Sequence, residues 1–195
     1  MNNFWRLDWP SLPASTNNSI INQYEFFKES AGMLTSSANN LERASYKPAD
    51  RGYYHLKEWQ NRDDFIQGIF ANFNINTNFL DRITIQCSKG GLPPHTDHQR
   101  NLSVIYVVSG PADTVFYKHN NDQQVPHKVY NRHELTEMER VRFDLNTWYL
   151  FNNANIHGVE NQFEPRISLT IDISSFFETF EQAKTAMLQG QGLFL

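Results

Sequence analysis

Residues 81–174 predict a mainly β fold with flanking helices, a double-sheeted jelly roll (double-stranded β-helix) of the cupin-like kind. Two observations predict it. About eight short apolar or alternating runs follow one another between residues 82 and 173, each closed by a turn signal. The clearest of them alternate with period two, as strands with one buried face do. Glycine and proline supply the punctuation, most densely at Gly90, Gly91, Pro93 and Pro94.

The elements can be taken in order. Residues 11–18 (SLPASTNN) and 35–40 (TSSANN) are loop-like in composition. Between them Ile20, Ile21, Tyr24, Phe26 and Phe27 predict a short amphipathic helix. A second helix is predicted over 60–72, where Phe65, Ile66, Ile69 and Phe70 recur at helical spacing. Arg82 to Ser88 (RITIQCS) reads as a half-buried strand and Leu102 to Val108 (LSVIYVV) as a nearly continuous apolar one. Thr114 to Tyr117 (TVFY) is the next, with further strands around 126–130, 138–144, 148–151 and 156–160. Arg166 to Ile173 (RISLTIDI) alternates cleanly. After Ser174 the composition turns helical until Gly190, and this segment is expected to cover an outer sheet face. The organisation expected is a single domain over 1–195. Residues 1–80 form a mixed support region, 81–174 the jelly-roll catalytic core, and 175–195 a C-terminal helix and tail.

A chain of 195 residues is long enough to bury a core. Its 15 Phe and 8 Tyr supply much of the apolar surface. The net charge of −4 gives no basic field, so no nucleic-acid partner is expected. One cysteine, Cys87, excludes an intramolecular disulfide and reads as a small buried hydrophobe. No run of apolar residues is long enough to span a membrane, and residues 1–10 do not resemble a signal peptide. The expected setting is the cytoplasm.

The motif with most chemical content is His95-Thr96-Asp97, followed far along the chain by His157 and, nine residues later, by Arg166. In an extended segment residues i and i+2 share a face about 7 Å apart, so His95 and Asp97 can converge on one ion. Pro93 and Pro94 favour that extended geometry. Two imidazoles and one carboxylate hold one face of an octahedral metal and leave the rest open; the set suits Fe(II) and also accommodates Mn, Co, Ni or Zn. His98 could pair with His95 at helical spacing, but the prolines argue against a helix, leaving it as a residue beside the site or an exposed one. His55, His119, His127 and His133 read as surface.

Arg166 and Ser168 share a face of their strand with Thr170 and Asp172, while Ile167, Leu169 and Ile171 face the other way. A guanidinium matches a carboxylate bidentately, and a neighbouring hydroxyl can add a hydrogen bond. Pairing of Arg166 with a structural acid such as Asp172 or Asp144 is the other reading of this arginine. Trp148, Tyr149 and Phe151 are candidates to exclude water from the site, with core packing the simpler role for at least two of them.

The stretches PPHTDHQRNLSVIYVV, TVFY and WYLFNNANIHGVENQFEPRISLTIDIS resemble the 2-oxoglutarate- and Fe(II)-dependent dioxygenase superfamily. The resemblance is to its prolyl 4-hydroxylase-like and aspartyl/asparaginyl hydroxylase-like branches and covers roughly residues 82–174. It implies that His95, Asp97 and His157 bind Fe(II). Arg166 would pair with the C5 carboxylate of 2-oxoglutarate with Ser168 assisting, and the C1 carboxylate and 2-keto oxygen would chelate the metal. A tyrosine on an early strand, Tyr106 or Tyr117, would support the C5 end. Arg100 would touch a carboxylate or face water. Asp97 favours hydroxylation over halogenation, because related halogenases lack that carboxylate. The reaction implied consumes dioxygen and 2-oxoglutarate and hydroxylates a C–H bond of a peptide residue or small molecule, releasing succinate and carbon dioxide. Two other readings stay open: a cupin-like metal enzyme of another class, and a non-catalytic jelly-roll binding module.

Overall fold

Among the described residues eight strands lie in the region where about eight are expected, seven of them at expected runs. The structure, a computed structural model, describes residues 2–29, 52–56, 61–97, 100–122 and 129–195, with the backbone alone for 27–29 and 52–56. The loop at 35–40, His98, His127, the side chain of His55 and most of the strand expected at 126–130 lie outside the described residues. In chain order the elements are β1 (Phe4–Leu7), α1 (Ala14–Glu29), β2 (Gly52–Leu56), α2 (Arg62–Phe70), β3 (Ile83–Lys89), β4 (Leu92–His95), β5 (Leu102–Ser109) and β6 (Asp113–His119). There follow β7 (Leu135–Arg142), β8 (Trp148–Asn152), β9 (Ile156–Glu160), β10 (Arg166–Asp172) and α3 (Phe180–Leu188).

The strands form two antiparallel sheets. The larger runs β1-β8-β5-β10-β3-β2 and the smaller β4-β9-β6-β7. From β3 onward the chain crosses between sheets at nearly every strand. β3, β5, β8 and β10 lie in the larger sheet and β4, β6, β7 and β9 in the smaller. That alternation is the double-stranded β-helix, and it is what brings residues near 95 and near 157 side by side.

Side-chain alternation decides what each face does. On β10, Ile167, Leu169 and Ile171 enter the main core, as do Ile83, Ile85 and Cys87 of its neighbour β3. Ile20 and Tyr24 of α1, Ile66, Ile69 and Phe70 of α2, and Ala183 and Met187 of α3 complete that core. The helices therefore cover one face of the larger sheet, and each apolar side chain fully buried there contributes roughly 1.5–3 kcal/mol. A second cluster of Val107, Phe116, Phe143, Tyr149 and Phe151 packs between the sheets. A third, with Val115, Tyr117, Tyr130, Leu135 and Ile156, lies on the far face of the smaller sheet.

Several local expectations need correcting. The helix α1 begins at Ala14, inside the stretch that reads as loop. Pro13 precedes its first turn, its carbonyl accepts from Asn17 N, and the Asn17 side chain bonds to Asn146. Packing of Ile20 and Tyr24 overrides the poor helix propensity of residues 15–18. Phe26 points outward, 68% exposed. The C-terminal helix starts late, at Phe180, because Thr179 and Gln182 form a capping box that fixes its first turn. Strands β1, β2 and β4 have no counterpart in the sequence reading, which takes Gly90 to Pro94 as a break; all three end a sheet, paired with β8, β3 and β9. His119 is buried rather than superficial, its ring 5.8 Å from that of Tyr130. Cys87 is buried, as expected. No helix among the described residues is long and apolar enough to cross a membrane.

Candidate metal centre and anion pocket

Backbone pairing builds the first half of the site. β4 lies antiparallel to β9 and places His95 directly opposite His157. Pro93 and Pro94 have no N–H to offer the ladder, and the register slips between Leu92 and His95. The two backbones approach closely at Gly158, where a Cβ would stand 3.0 Å from Leu92 O and 3.2 Å from Pro94 N. Any larger residue beside His157 would require the β4 backbone to give by a few tenths of an ångström.

The imidazole rings of His95 and His157 are 4.5 Å apart between centroids. Asp97, just beyond β4, turns Oδ1 towards both, 3.3 Å from His95 Nε2 and 3.9 Å from His157 Nε2. One potential ligand atom from each of the three residues lies within 4.8 Å of the others. The outer nitrogens are already engaged. His95 Nδ1 lies 2.8 Å from Pro93 O and His157 Nδ1 lies 2.9 Å from Asn155 O. A carbonyl only accepts, so each Nδ1 carries a hydrogen, and in the tautomer this selects Nε2 is the nitrogen that offers a lone pair inward. Two lone pairs and a carboxylate oxygen facing one another are unfavourable unless a cation stands among them. The donor set therefore fits a divalent metal, and its type is the two-histidine, one-carboxylate set of non-haem iron.

Electrostatics support the same state. Burial, with His95 nearby, pushes the His157 pKa down to about 4, so the ring is neutral at physiological pH. Burial opposes the charge on Asp97, but the Arg100 guanidinium and the His95 and His157 side chains together outweigh it and hold the carboxyl well below the usual range. Arg100 grips Asp97 Oδ2 through Nε at 2.9 Å and Nη2 at 2.5 Å, and Asn153 Nδ2 donates to the same oxygen at 2.7 Å. Ser103 in turn donates to Asn153 Oδ1 at 2.7 Å, which orients that amide. The arrangement leaves Oδ1 facing the histidines. Arg100 thus does touch a carboxylate, that of Asp97.

The second half of the site is a cavity between the sheets, with about 520 Å³ of empty space, part of it open to solvent. His95, Asp97, Arg100 and His157 line one side, and Gln86, Ser88, Arg166 and Ser168 belong to the larger sheet's contribution. Arg166 is buried at the start of β10; its Nη1 donates to Thr114 Oγ1 at 3.0 Å, and its guanidinium lies over Phe143, 5.5 Å from the ring centroid. Its position depends on Gly110, whose positive φ lets Pro165 come so close that a Cβ would overlap the Pro165 carbonyl. Asp144 is engaged by Arg6, and Asp172 accepts from Ser174 N.

Tyr106 does not belong to this cavity. It occupies the opposite face of β5 from Ile105, fully buried against Trp148, and its hydroxyl accepts from Leu12 N at 3.0 Å. Its assignment to the co-substrate is corrected accordingly: the strand's alternation turns it into the main core. Tyr117 also faces away and donates to Glu160 Oε1 at 2.6 Å. Of the three aromatics proposed to exclude water, Phe151 lines the cavity, edge-on to His157 at 5.0 Å. Trp148 and Tyr149 pack in the two cores.

Gln86, Asn153 and Ser103 were not singled out from sequence. Gln86 carries a legible signal, because Thr84, Gln86 and Ser88 form the polar register of an alternating strand. Asn153 carries none, since an asparagine after an apolar strand reads as a turn.

No protein-family model matches the chain, and no curated protein sequence matches it. Among solved structures it is similar to a prolyl hydroxylase in complex with a hypoxia inducible factor peptide fragment from Trichoplax adhaerens, at 17% identity, over 88% of this chain and 83% of that one, with a TM-score of 0.48. It is similar to a Pseudomonas putida prolyl-4-hydroxylase at 11% identity, covering 87% and 91% of the two chains, with a TM-score of 0.43. It is also similar to HygX from Streptomyces hygroscopicus, solved with nickel, 2-oxoglutarate and hygromycin B, at 9% identity over 87% and 81%, with a TM-score of 0.46. These likenesses are ones of fold, and the chemistry rests on this chain's own residues.

Proposed function

We propose that the protein is an Fe(II)- and 2-oxoglutarate-dependent oxygenase that hydroxylates a C–H bond of a peptide residue or a small molecule. One observation supports the reading above the rest: the three ligand atoms of His95, Asp97 and His157 face a cavity that also holds a buried arginine, Arg166. His95 Nε2, His157 Nε2 and Asp97 Oδ1 would hold the metal. When bound, the ferrous ion supplies the dioxygen chemistry, in which 2-oxoglutarate loses carbon dioxide to become succinate and one oxygen atom enters the substrate C–H bond.

The chain's own residues do the positioning. The Pro93 and Asn155 carbonyls fix both rings in the tautomer that leaves the inner nitrogens to the metal. Arg100 and Asn153 keep Asp97 ionised and turned towards the histidines. Arg166, with Ser168 on the same face of β10, would hold the distal carboxylate of 2-oxoglutarate and so orient its keto acid end towards the metal. Phe151, Ile105 and Val159 give the cavity an apolar lining that limits water.

Anaerobic titration tests the reading. A weak visible absorption band is expected only when Fe(II) and 2-oxoglutarate are both present, and Asp97→Ala is expected to abolish it while the fold persists. A native protein that binds Fe(II) but shows no change with 2-oxoglutarate would instead belong to another class of cupin-like metal enzyme. One that binds neither would be a non-catalytic module.

A further inference from the structure

The larger sheet's side of the cavity contains a buried polar group that no described residue answers. Gln86, on β3, is only 6% exposed and lines the cavity, and among the described residues its Nε2 has no hydrogen-bond partner. A buried amide donor without a partner is destabilising, and native proteins retain few of them. The next residue on the same face shows the contrast. Ser88 Oγ donates to Gln162 Oε1 at 3.1 Å, and the Ser88 carbonyl accepts from Gln162 Nε2 at 2.5 Å.

Register places the residue beside the proposed clamp. In the β3–β10 ladder Gln86 stands opposite Ser168, and Ser88 opposite Arg166. Directly opposite residues have Cβ atoms roughly 5 Å apart and diagonal ones roughly 7–8 Å, so one small anion can touch Gln86, Ser168 and Arg166 together. A glutamine suits this place. It adds donors for a carboxylate without adding a second positive charge beside Arg166.

We propose that Gln86 is a specificity-determining residue of the co-substrate site: its side-chain amide donates to the distal carboxylate held by Arg166, so that the pocket selects a dicarboxylic 2-oxo acid over a monocarboxylic one. The proposal rests on the reading of Arg166 as the carboxylate clamp.

The test is calorimetric titration of the Zn(II)-loaded chain, which binds without turnover, with 2-oxoglutarate and with pyruvate, which lacks the distal carboxylate. Gln86→Leu should weaken 2-oxoglutarate binding roughly tenfold or more while leaving pyruvate unchanged. Gln86→Glu should weaken it further through like-charge repulsion. Ligand-free Gln86→Leu should melt no lower than the native chain, because no hydrogen bond is lost. Native-like 2-oxoglutarate binding by both variants, alongside a large loss in Arg166→Met, would overturn the proposal and leave the clamp intact. Equal weakening of both acids, or a lowered melt, would overturn it too, since Gln86 would then act through the fold or the metal. If native and Arg166→Met chains bind 2-oxoglutarate alike, the co-substrate reading itself fails and this proposal with it.

Discussion

The two sheets contribute unlike halves to one cavity. The smaller sheet brings His95 and His157, and its polar groups are satisfied before any ligand arrives: both outer ring nitrogens meet carbonyls, and Asp97 Oδ2 meets Arg100 and Asn153. The larger sheet brings Arg166, Ser168 and Gln86, and there a buried amide has no partner among the described residues. On the proposed reading the first half is a metal site, whose ligands need fixing within narrow tolerances by the groups around them. A pocket for an exchangeable anion must keep donors in reserve.

Substitutions can break or sharpen that contrast. The largest effect is expected from His157→Ala, which removes a proposed ligand and should lower affinity for Co(II) or Zn(II) by more than the roughly 100-fold upper range for outer partners. A chelator competition assay reads it, and near-native affinity would remove His157 from the metal site. Next is Arg166→Met. Removing one partner of a buried charged contact costs on the order of 2–5 kcal/mol, so 2-oxoglutarate affinity should fall roughly 30-fold or more with metal affinity unchanged. A parallel loss of metal would show that the two halves are not separable. Asn153→Ala comes third, at about tenfold in metal affinity with little effect on the anion end.

The acid side of the stability curve gives a fourth test. His157 has a folded pKa of about 4 against roughly 6.5 for an unfolded histidine. Between those values the unfolded chain binds more protons, so the metal-free protein loses stability as pH falls through that window and holds it above. The loss is on the order of 3 kcal/mol, and His157→Leu should flatten that part of a melting-temperature profile. Asp97, whose folded pKa is depressed, acts in the same direction but at lower pH. The smallest effect is Ser168→Ala, a few-fold in 2-oxoglutarate affinity and nothing in the melt. Its neighbour Leu169, fully buried on the other face of β10, should do the reverse: Leu169→Ala costs about 2–5 kcal/mol of stability with metal affinity kept.

That pair of neighbours also explains what could be read from the chain. Alternation at 166–172 already separates Arg166 and Ser168 from Ile167, Leu169 and Ile171, and the faces fall as expected. The same logic could have excluded Tyr106, which sits out of phase with Ile105, the residue of its strand that lines the cavity. Helix α1 was illegible at its start because Ile20 and Tyr24, not local propensity, hold residues 14–18 helical. Asn153 and Ser103 were illegible because their partners lie tens of residues away and a side-chain hydrogen bond leaves no periodic trace.

The larger sheet is backed by three helices, whereas the smaller one ends in the far-face cluster around Tyr130 and Leu135. Amide hydrogens of β10 and β5 should therefore exchange with solvent at the slowest rates in the molecule, and those of β4 sooner. A ligand held at both ends, by Arg166 and by the histidine pair, would act as a crosspiece between layers. Its arrival should then be recorded most strongly in the exchange rates of the thinner layer, far from the groups that grip its tail.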